Sequence, residues 1–497
     1  MSVKIRSDTA RMQAFNPREF LLKKQHAARE IRRLWLRPKV AFVLLVAGFS
    51  IEANGQMPTY TIDQGVALAG DQNPEIIIAR KKIEAARGGF IEARSGFLPS
   101  VISTGLYDQR EHQAQTRLRD DDYNASVRAL ENVYTGGAVS SQVAIAQLNI
   151  DKQNCEFQET ANRVAMDVRI AFYDLLLNRA KVRVREDSVR VLDEELKSQN
   201  ERLRAGIVGT LNVRRAEVAL ANERPELINA QTQLKNSYLR LGELFGIDFR
   251  SDPETSRFEV AGQLQYQARH PDLNETLARA DLERPLIKAR QRDVEIEDRQ
   301  YVLDRSELLP HVGVFSGYEV YNERDPDVGR EFNHGYIVGV NATWHLFDGF
   351  ATKGRMQATR ARREAALAAL DAARRAVASE VRSAFLDLQQ ADHVLESETK
   401  NVQTADESLE IAKTNLGAGL GTQLDILQAA ADVTRTRTTR LSAIYLHNVA
   451  LARLARACAR QPEALDFNPK ITTRSDKERK ETRAADVAHP PAKLSQR

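Results

Sequence analysis

The sequence has few of the residues that fill a compact globular core. Of its 497 residues only 6% are aromatic, with two tryptophans and two cysteines, whereas 28% are charged. The apolar run Val40–Phe49 has about ten residues, too few to span a bilayer as a helix. The middle of the chain is instead dense in alanine, leucine, arginine, glutamate and glutamine, a mixture typical of long helices packed side by side. The composition therefore indicates an elongated helical protein.

Common catalytic and metal-binding motifs are also missing. The stretch RAGIVGT, residues 204–210, lacks the lysine and the adjoining serine or threonine of a phosphate-binding loop, and neither GxSxG nor HExxH occurs. The nine histidines do not cluster at the spacing of metal ligands. We therefore predict neither an enzyme nor a cofactor or metal site.

Residues 1–55 have the layout of a secretory signal peptide with an extended basic region. Basic residues precede the apolar run, and small residues lead to a cleavage site near Gly55. Met12 is an alternative start, and a buried helix of a cytosolic protein is the competing interpretation. Because this segment carries a net charge of +7, the rest of the chain has −3. The apparent basicity therefore does not support nucleic-acid binding.

The two cysteines, Cys155 and Cys458, both fall inside predicted helices. A disulfide needs Cα atoms within about 7 Å, which a sequence does not reveal, and we favour unpaired thiols. Neither cysteine follows the apolar run near the N-terminus. Neither is therefore placed to carry a lipid anchor after export.

The chain contains an internal repeat. Residues 73–107 match residues 284–318 at an offset of 211, and residues 134–175 match residues 347–388 at an offset of 213. Each copy opens with a helix bounded by prolines, at about 74–97 and 285–308. The predicted parts of the chain are the signal peptide 1–55, a first repeat 56–250, an equatorial linker 251–283, a second repeat 284–461 and a disordered charged tail 462–497.

Two β-hairpins, at residues 99–136 and 310–348, are predicted from apolar residues that recur with a period of two. The alternation is cleanest from Tyr336 to Phe347, with one apolar side and one more polar side. Each strand has the 9–11 or so residues that cross a bilayer when tilted, but a half-buried soluble hairpin has the same pattern. The export signal favours the membrane. Four strands cannot close a barrel, so membrane strands require an oligomer that pools them.

Long helices follow each hairpin. Leucine and valine recur every seven residues from Val168 to Leu203 and from Val381 to Leu416, which predicts left-handed coiled-coil packing. Each rising helix spans roughly 100 Å, and the returning helix covers about half of that. The helix bounded by prolines fills the remainder, and an irregular belt lies where the two meet, at residues 246–283. Pro225 is expected to kink or break the first returning helix.

A glycine-bearing turn ends each rising helix, near residues 204–212 and 417–425. These turns are typical of helical hairpins, with glycines that end one helix in the left-handed conformation. Thr210 and Thr422 are the expected N-caps of the returning helices.

In this order of elements the chain resembles the TolC-like outer membrane factors over about residues 58–460. The resemblance lies in the order of elements, which occurs twice along the chain. Each time a helix is followed by a hairpin that opens with Leu-Pro, then by the motif YTGG or FDGF, a long helix, a glycine-bearing tip and a returning helix. It implies a mainly α fold with a β-barrel portion and an internal two-fold repeat. Each chain then has long antiparallel coiled-coil helices and four transmembrane strands. A homotrimer forms a 12-stranded barrel in the outer membrane on an α-helical periplasmic tunnel.

The resemblance also implies a function. Members of this family are passive ducts for type I protein secretion or efflux, opened at their periplasmic tips by an adaptor, or membrane fusion protein. The adaptor is attached to an inner-membrane transporter of the ABC or RND type. The expected partners are therefore further copies of the chain, the adaptor, the transporter and outer membrane lipid, without nucleic acid. The alternative is a periplasmic or surface coiled-coil structural protein without a channel.

Site residues follow from the resemblance as well. Asp425 falls on an acidic ring at the tunnel entrance, with Asn212, Gln428 and Thr422 beside it; without the resemblance it is a solvated residue on a helix face. Family members often carry acidic residues in place of Asn212 and Gln428, and Gly421 replaces a basic residue. The network that closes the mouth is therefore thinner here or built differently. The expected adaptor-docking residues are Leu203, Arg204, Gly206, Leu416 and Gly419.

Overall fold

The computed structural model describes residues 58–109, 121–247, 249, 258–322 and 332–459. All of them belong to one compact unit of the chain. The predicted signal peptide, the charged tail and most of the charged turns of both hairpins lie outside the described residues, as do residues 250–257 of the linker region.

The two halves of the described chain contain the same elements in the same order. Corresponding helices have equal lengths of 11, 22, 67 and 35 residues. The first half consists of β1 (Thr59–Tyr60), α1 (Ile62–Gln72), α2 (Pro74–Ser95), β2 (Ser100–Gln109), β3 (Asp121–Tyr134), α3 (Ala138–Arg204) and α4 (Thr210–Leu244). The second consists of β4 (Glu259–Val260), α5 (Leu273–Glu283), α6 (Pro285–Ser306), β5 (His311–Asn322), β6 (Phe332–Thr343), α7 (Ala351–Gly417) and α8 (Gln423–Ala457).

The long helices α3 and α7 organise the helical part. At 1.5 Å per residue each is about 100 Å long, and each is flanked by the shorter helices of its own half, α2 and α4 on α3, and α6 and α8 on α7. The halves join because α3 also packs against α6 and α8. α4 continues through Pro225, so the break considered there is wrong. The proline is exposed, and solvent satisfies the carbonyl that loses its helical partner.

The seven-residue pattern matches the buried positions of α7 better than those of α3. In α7 the residues at all the predicted positions, from Val381 to Leu416, are buried or half-buried. In α3 the pattern holds as far as Val182, beyond which the predicted positions are only half-buried. The buried residues of this distal part include polar ones and are Ser188, Leu192, Glu195 and Gln199.

Helices α2 and α6 begin at proline, as predicted, and hydrogen bonds connect their N-terminal ends to the C-terminal ends of the returning helices α4 and α8. Asn73 caps α2, since its Oδ1 accepts from the Glu75 amide at 2.9 Å. Its amide group donates to the Leu244 carbonyl, at the end of α4, at 3.0 Å. In the second half, Arg284 precedes Pro285 and donates to the Arg456 carbonyl near the end of α8 at 3.0 Å.

Arg284 is also the centre of a charged cluster that joins four helices. The side chain is only 1% exposed. Its Nη2 donates to Glu159 of α3 at 3.0 Å and to Glu380 of α7 at 3.1 Å. Arg456 of α8 pairs with the same two carboxylates at 3.0 and 3.3 Å. Two positive and two negative groups therefore balance where both halves meet.

The linker between the halves is more regular than expected. β4 pairs in parallel with β1, and residues 273–283 form α5, the counterpart of α1. The prediction of an irregular belt up to residue 283 is therefore wrong for its last eleven residues. Asp272 caps α5 by accepting from the Glu275 amide at 2.7 Å, which starts a helix at this point.

The strands form one antiparallel sheet in the order β2-β3-β5-β6. The middle contact, β3 with β5, joins the two halves, and β2 and β6 are the edges. β6 ends at Thr343, four residues before the predicted end at Phe347. Beyond it, the Trp344 indole donates to the Leu308 carbonyl at 3.1 Å, and Asp348 accepts from the Thr352 amide at 2.7 Å as α7 begins.

Both cysteines are free thiols, as favoured from the sequence. Cys155 is half-buried on α3, and burial raises the pKa of its thiol, although Arg292 and Lys288 act in the opposite direction. Cys458 directly follows α8 and is 2% exposed.

We expect Arg284→Ala to lower the free energy of unfolding by about 3 kcal/mol, because it removes the main partner of two poorly solvated carboxylates. The control is Arg375→Ala, which breaks an exposed pair with Asp371 and should cost about 0.3–0.5 kcal/mol. Denaturant unfolding of the detergent-solubilised protein, followed by circular dichroism, measures both. Equal losses in the two variants would contradict a special role for the buried cluster.

Candidate functional site

The sheet carries its apolar side chains on an exposed face. In β6, Tyr336 is 86% exposed, Val338 71% and Val340 68%, whereas Ile337 and Gly339 between them are half-buried. β5 alternates in the same way. A soluble antiparallel sheet buries its apolar side against a core and exposes its polar side. The observed arrangement therefore favours membrane strands over a half-buried soluble hairpin.

The less exposed face of the sheet carries hydrogen-bonding side chains. Arg128 on β3 donates to Glu319 on β5 at 2.9 Å. On the same face, the hydroxyl groups of Thr104 and Ser126 lie 2.8 Å apart across β2 and β3. An apolar outer face and a polar inner face are the distribution found where strands separate lipid from an aqueous interior.

At the opposite end of the long helices, two turns have nearly the same backbone. Gly206 and Gly419 have φ values of +75° and +77°, the left-handed conformation that suits glycine. The following amides, of Ile207 and Leu420, donate back to carbonyls of the last helical turn at 2.9 and 2.8 Å. The prediction that glycines end both helices in this conformation is confirmed.

Both tips expose large apolar side chains. Ile207 is 72% exposed and Leu420 82%, and Leu211 and Leu424 at the start of the returning helices are 60% and 53% exposed. The sequence reasoning missed these four residues, although an apolar residue directly after each left-handed glycine was a visible signal. Of the residues expected to dock a partner, Leu203 and Leu416 are half-buried, whereas Arg204, Gly206 and Gly419 are exposed.

The tips differ in how the returning helices begin. In the second tip, the Thr422 amide donates to Asp425 Oδ2 at 2.8 Å, and Thr422 Oγ1 accepts from the Asp425 amide at 3.4 Å. Hydrogen bonds from the Thr422 amide and then its hydroxyl lower the pKa of the Asp425 carboxyl. In the first tip the N-cap residue is Gly209, which has an extended backbone and no side chain. No side-chain hydrogen bond therefore caps α4. The expectation of a Thr210 cap is therefore wrong, and Asn212 makes no such cap.

One side chain bridges the two tips. Gln423 is only 4% exposed, and its Nε2 donates to the Asn212 carbonyl at 2.8 Å. Of the residues expected at the entrance, Asp425 and Gln428 line one groove between α7 and α8. Thr422 stands at the start of α8 beside them, and Asn212 contributes its main chain to the bridge. No sequence pattern indicated this bridge, because it joins residues 211 positions apart.

A model of the outer membrane efflux protein family matches residues 66–247 and 276–460. This chain belongs to the outer membrane efflux protein family. It is 26% identical to protein CyaE of Bordetella pertussis over 397 residues, 79% of this chain and 82% of CyaE. It is 22% identical to the cobalt-zinc-cadmium resistance protein CzcC of Cupriavidus metallidurans over 306 residues, 61% and 66% of the two chains. The Campylobacter jejuni CmeC outer membrane channel shares the fold, with a TM-score of 0.70 at 15% identity over 84% of this chain and 88% of CmeC.

Family membership and the shared fold confirm the predicted mainly α fold with a β-barrel portion and the location in the outer membrane. Family membership also places the chain among transport proteins rather than among enzymes. None of the helices in the described part of the chain is both long and apolar enough to span a bilayer.

We expect Gln423→Leu to loosen both tips, because the variant keeps an apolar stem but leaves the Asn212 carbonyl without its donor. Amide hydrogen exchange at residues 209–215 and 422–428 should become about fivefold faster. Gln428→Leu is the matched control, since this exposed side chain lies further along the same helix and its loss should leave exchange unchanged. Equal rates in wild type and Gln423→Leu would show that the bridge does not hold the tips together.

Proposed function

We propose that this member of the outer membrane efflux protein family is the outer membrane channel of a tripartite export system, built from three copies of the chain. The conduit crosses the outer membrane and continues through the periplasm. An adaptor attached to an inner-membrane transporter of the ABC or RND type opens it at the tips. The cargo is a secreted protein or a small exported solute, and the chain itself carries out no catalysis.

The observation that carries this proposal is a sheet with an apolar outer face and two free edges. Each edge strand has a row of backbone N–H and C=O groups without a partner in the sheet. Lipid offers no hydrogen bonds to such groups, so an open edge is not stable in a membrane. Pairing of β6 of one copy with β2 of the next removes both edges at once.

The repeated halves indicate the register of this contact between copies. Inside one chain, β3 of the first half pairs with β5 of the second and sets Leu130 opposite Phe315. The equivalent contact between copies, shifted by the repeat offsets of 213 and 211, sets Thr343 of one copy opposite Thr104 of the next.

The exposure of the short helices supports the same arrangement. Ala289 on α6 is 3% exposed because α6 packs on α3. Ile78, at the equivalent position of α2, is 57% exposed in the single chain. In the assembly, α7 of the neighbouring copy covers Ile78 as α3 covers Ala289. Two copies would supply eight strands, the smallest number that closes a barrel; three supply twelve, which the likeness to the outer membrane factors favours.

The tips supply the entrance and the adaptor surface in this proposal. Three copies bring three Asp425 carboxylates to the mouth, and the hydrogen bonds from Thr422 favour their charged form. Such a ring concentrates cations at a constriction. The exposed Ile207 and Leu420 provide apolar contacts for the adaptor. A coiled-coil structural protein without a channel, the alternative, leaves the apolar face of the sheet without an occupant.

Cysteine cross-linking tests the assembly. In a chain whose native cysteines are replaced by serine, Thr104→Cys combined with Thr343→Cys should give covalent dimers and trimers when outer membranes are oxidised. The control combines Thr104→Cys with Val340→Cys, whose side chain lies on the opposite face of β6, and should give monomers. A series that ends at the dimer would argue for two copies, and no cross-linking would contradict the proposed contact.

Conductance tests the entrance. Asp425→Asn removes the charge but keeps an oxygen that accepts from the Thr422 amide, so the helix cap survives. We expect the ratio of cation to anion permeability in planar bilayers to fall at least about twofold. Asp371→Asn, a change on α7 far from the tips, should leave the ratio unchanged. Unaltered selectivity in Asp425→Asn would remove this residue from the entrance.

A further inference from the structure

Residues 261–272, here called the strap, connect β4 to α5 and lie across both halves of the chain. Just before the strap, Phe258 and Val260 are buried in the hydrophobic cluster of the first half, and Arg179 of α3 donates to the Val260 carbonyl at 2.8 Å. Leu264, within the strap, packs against that cluster and also against a cluster formed by α7 and α8. The strap therefore ties the first helical hairpin to the second.

The second hairpin holds the strap through two neighbouring residues of α8. Asn448 Nδ2 donates to the Gln265 carbonyl at 3.1 Å, and His447 Nε2 lies 2.9 Å from the Gln267 carbonyl oxygen. Residues 263–272 are in neither helix nor strand. These side-chain contacts to the main chain are therefore an important part of what fixes the course of the strap.

The hydrogen bonds of His447 require an additional proton. The side chain is 0% exposed, and its Nδ1 lies 2.7 Å from Asp392 Oδ1 on α7. A main-chain carbonyl and a carboxylate both accept, but a neutral imidazole has one N–H only. Both contacts are satisfied only when the His447–Asp392 pair holds one proton more than a neutral ring beside an ionised carboxylate.

Among the described residues, titratable side chains from α7 and from the strap contact the ring. One is Asp392 from α7, and the other is Tyr266 from the strap, whose ring meets the imidazole edge-on with centroids 4.6 Å apart. Burial raises the pKa of Tyr266, and the charge of Asp392 and a hydrogen bond to it add to the effect. The tyrosine hydroxyl therefore stays protonated and neutral beside Asp392.

We propose that the His447–Asp392 pair is a proton-dependent lock that fastens the strap to the second hairpin. With the proton bound, both ring nitrogens donate and the strap stays attached. Once the proton is lost, the single N–H of the neutral ring stays on Nδ1 with the Asp392 carboxylate, the stronger acceptor. A lone pair on Nε2 then faces the Gln267 carbonyl oxygen, and the strap loses this contact. The lock is therefore closed at low pH, where the additional proton is bound, and opens as pH rises. This inference does not rest on the export function.

Hydrogen exchange on the full-length protein in detergent tests the lock. Protection of the strap amides, corrected for the intrinsic pH dependence of exchange, is compared at about pH 5.5 and about pH 8.5. We expect it to fall at least about fivefold at the higher pH, whereas a reference segment in α3, residues 164–177, stays unchanged. Equal protection of the strap at both pH values overturns the proposal.

Asp392→Asn is the decisive variant. Its amide group donates to a neutral Nδ1, while the single ring N–H serves the Gln267 carbonyl, so no additional proton is needed. The strap should then be equally protected at both pH values, near the wild-type level at low pH. His447→Gln retains one donor and should show lower, pH-independent protection. An Asp392→Asn protein whose strap remains as sensitive to pH as that of wild type also overturns the proposal.

Discussion

Unpaired backbone groups at the edges of the sheet are the constraint on which the rest of the molecule depends. Strands β2 and β6 complete their hydrogen bonds only with another chain, and in a membrane no solvent substitutes for that partner. In the proposed assembly, the contact between copies reproduces the contact between halves, β3 with β5. Equal helix lengths of 67 and 35 residues in the two halves fit this arrangement, because unequal halves would lose their alignment around a ring.

The charged cluster around Arg284 shows where the two halves are not equivalent. Arg284, at the start of α6, binds carboxylates from within α3 and α7, whereas the equivalent residue, Asn73, makes neutral hydrogen bonds within its own half. Glu159 corresponds to Ala372, which has no charge to offer the next copy. The two halves of one chain are therefore joined by ion pairs that the proposed contact between copies would lack.

Local chemistry made much of this structure predictable. Pro74 and Pro285 lie at the first position of a helix, and Gly206 and Gly419 follow the ends of the two long helices. Both effects act within one helical turn, so the local sequence is enough to predict them. Features that depend on distant groups were not accessible in this way. Helix α4 continues through Pro225 because the proline lies on its exposed side. In the distal part of α3, the buried residues include polar ones and depart from the seven-residue pattern. The bridge from Gln423 and the strap contacts of His447 join residues that are far apart in sequence, and no periodicity encodes such pairs.

The two tips expose similar surfaces, but they differ in the hydrogen bonds that stabilise them. Each presents an apolar side chain directly after its left-handed glycine, so both tips expose similar apolar surface. Only the second tip has the Thr422–Asp425 cap, and the first begins its returning helix from an uncapped glycine. Gln423 compensates by binding the main-chain carbonyl of Asn212, an acceptor that persists whatever side chain stands there. The first tip is therefore held in part by a hydrogen bond from the second.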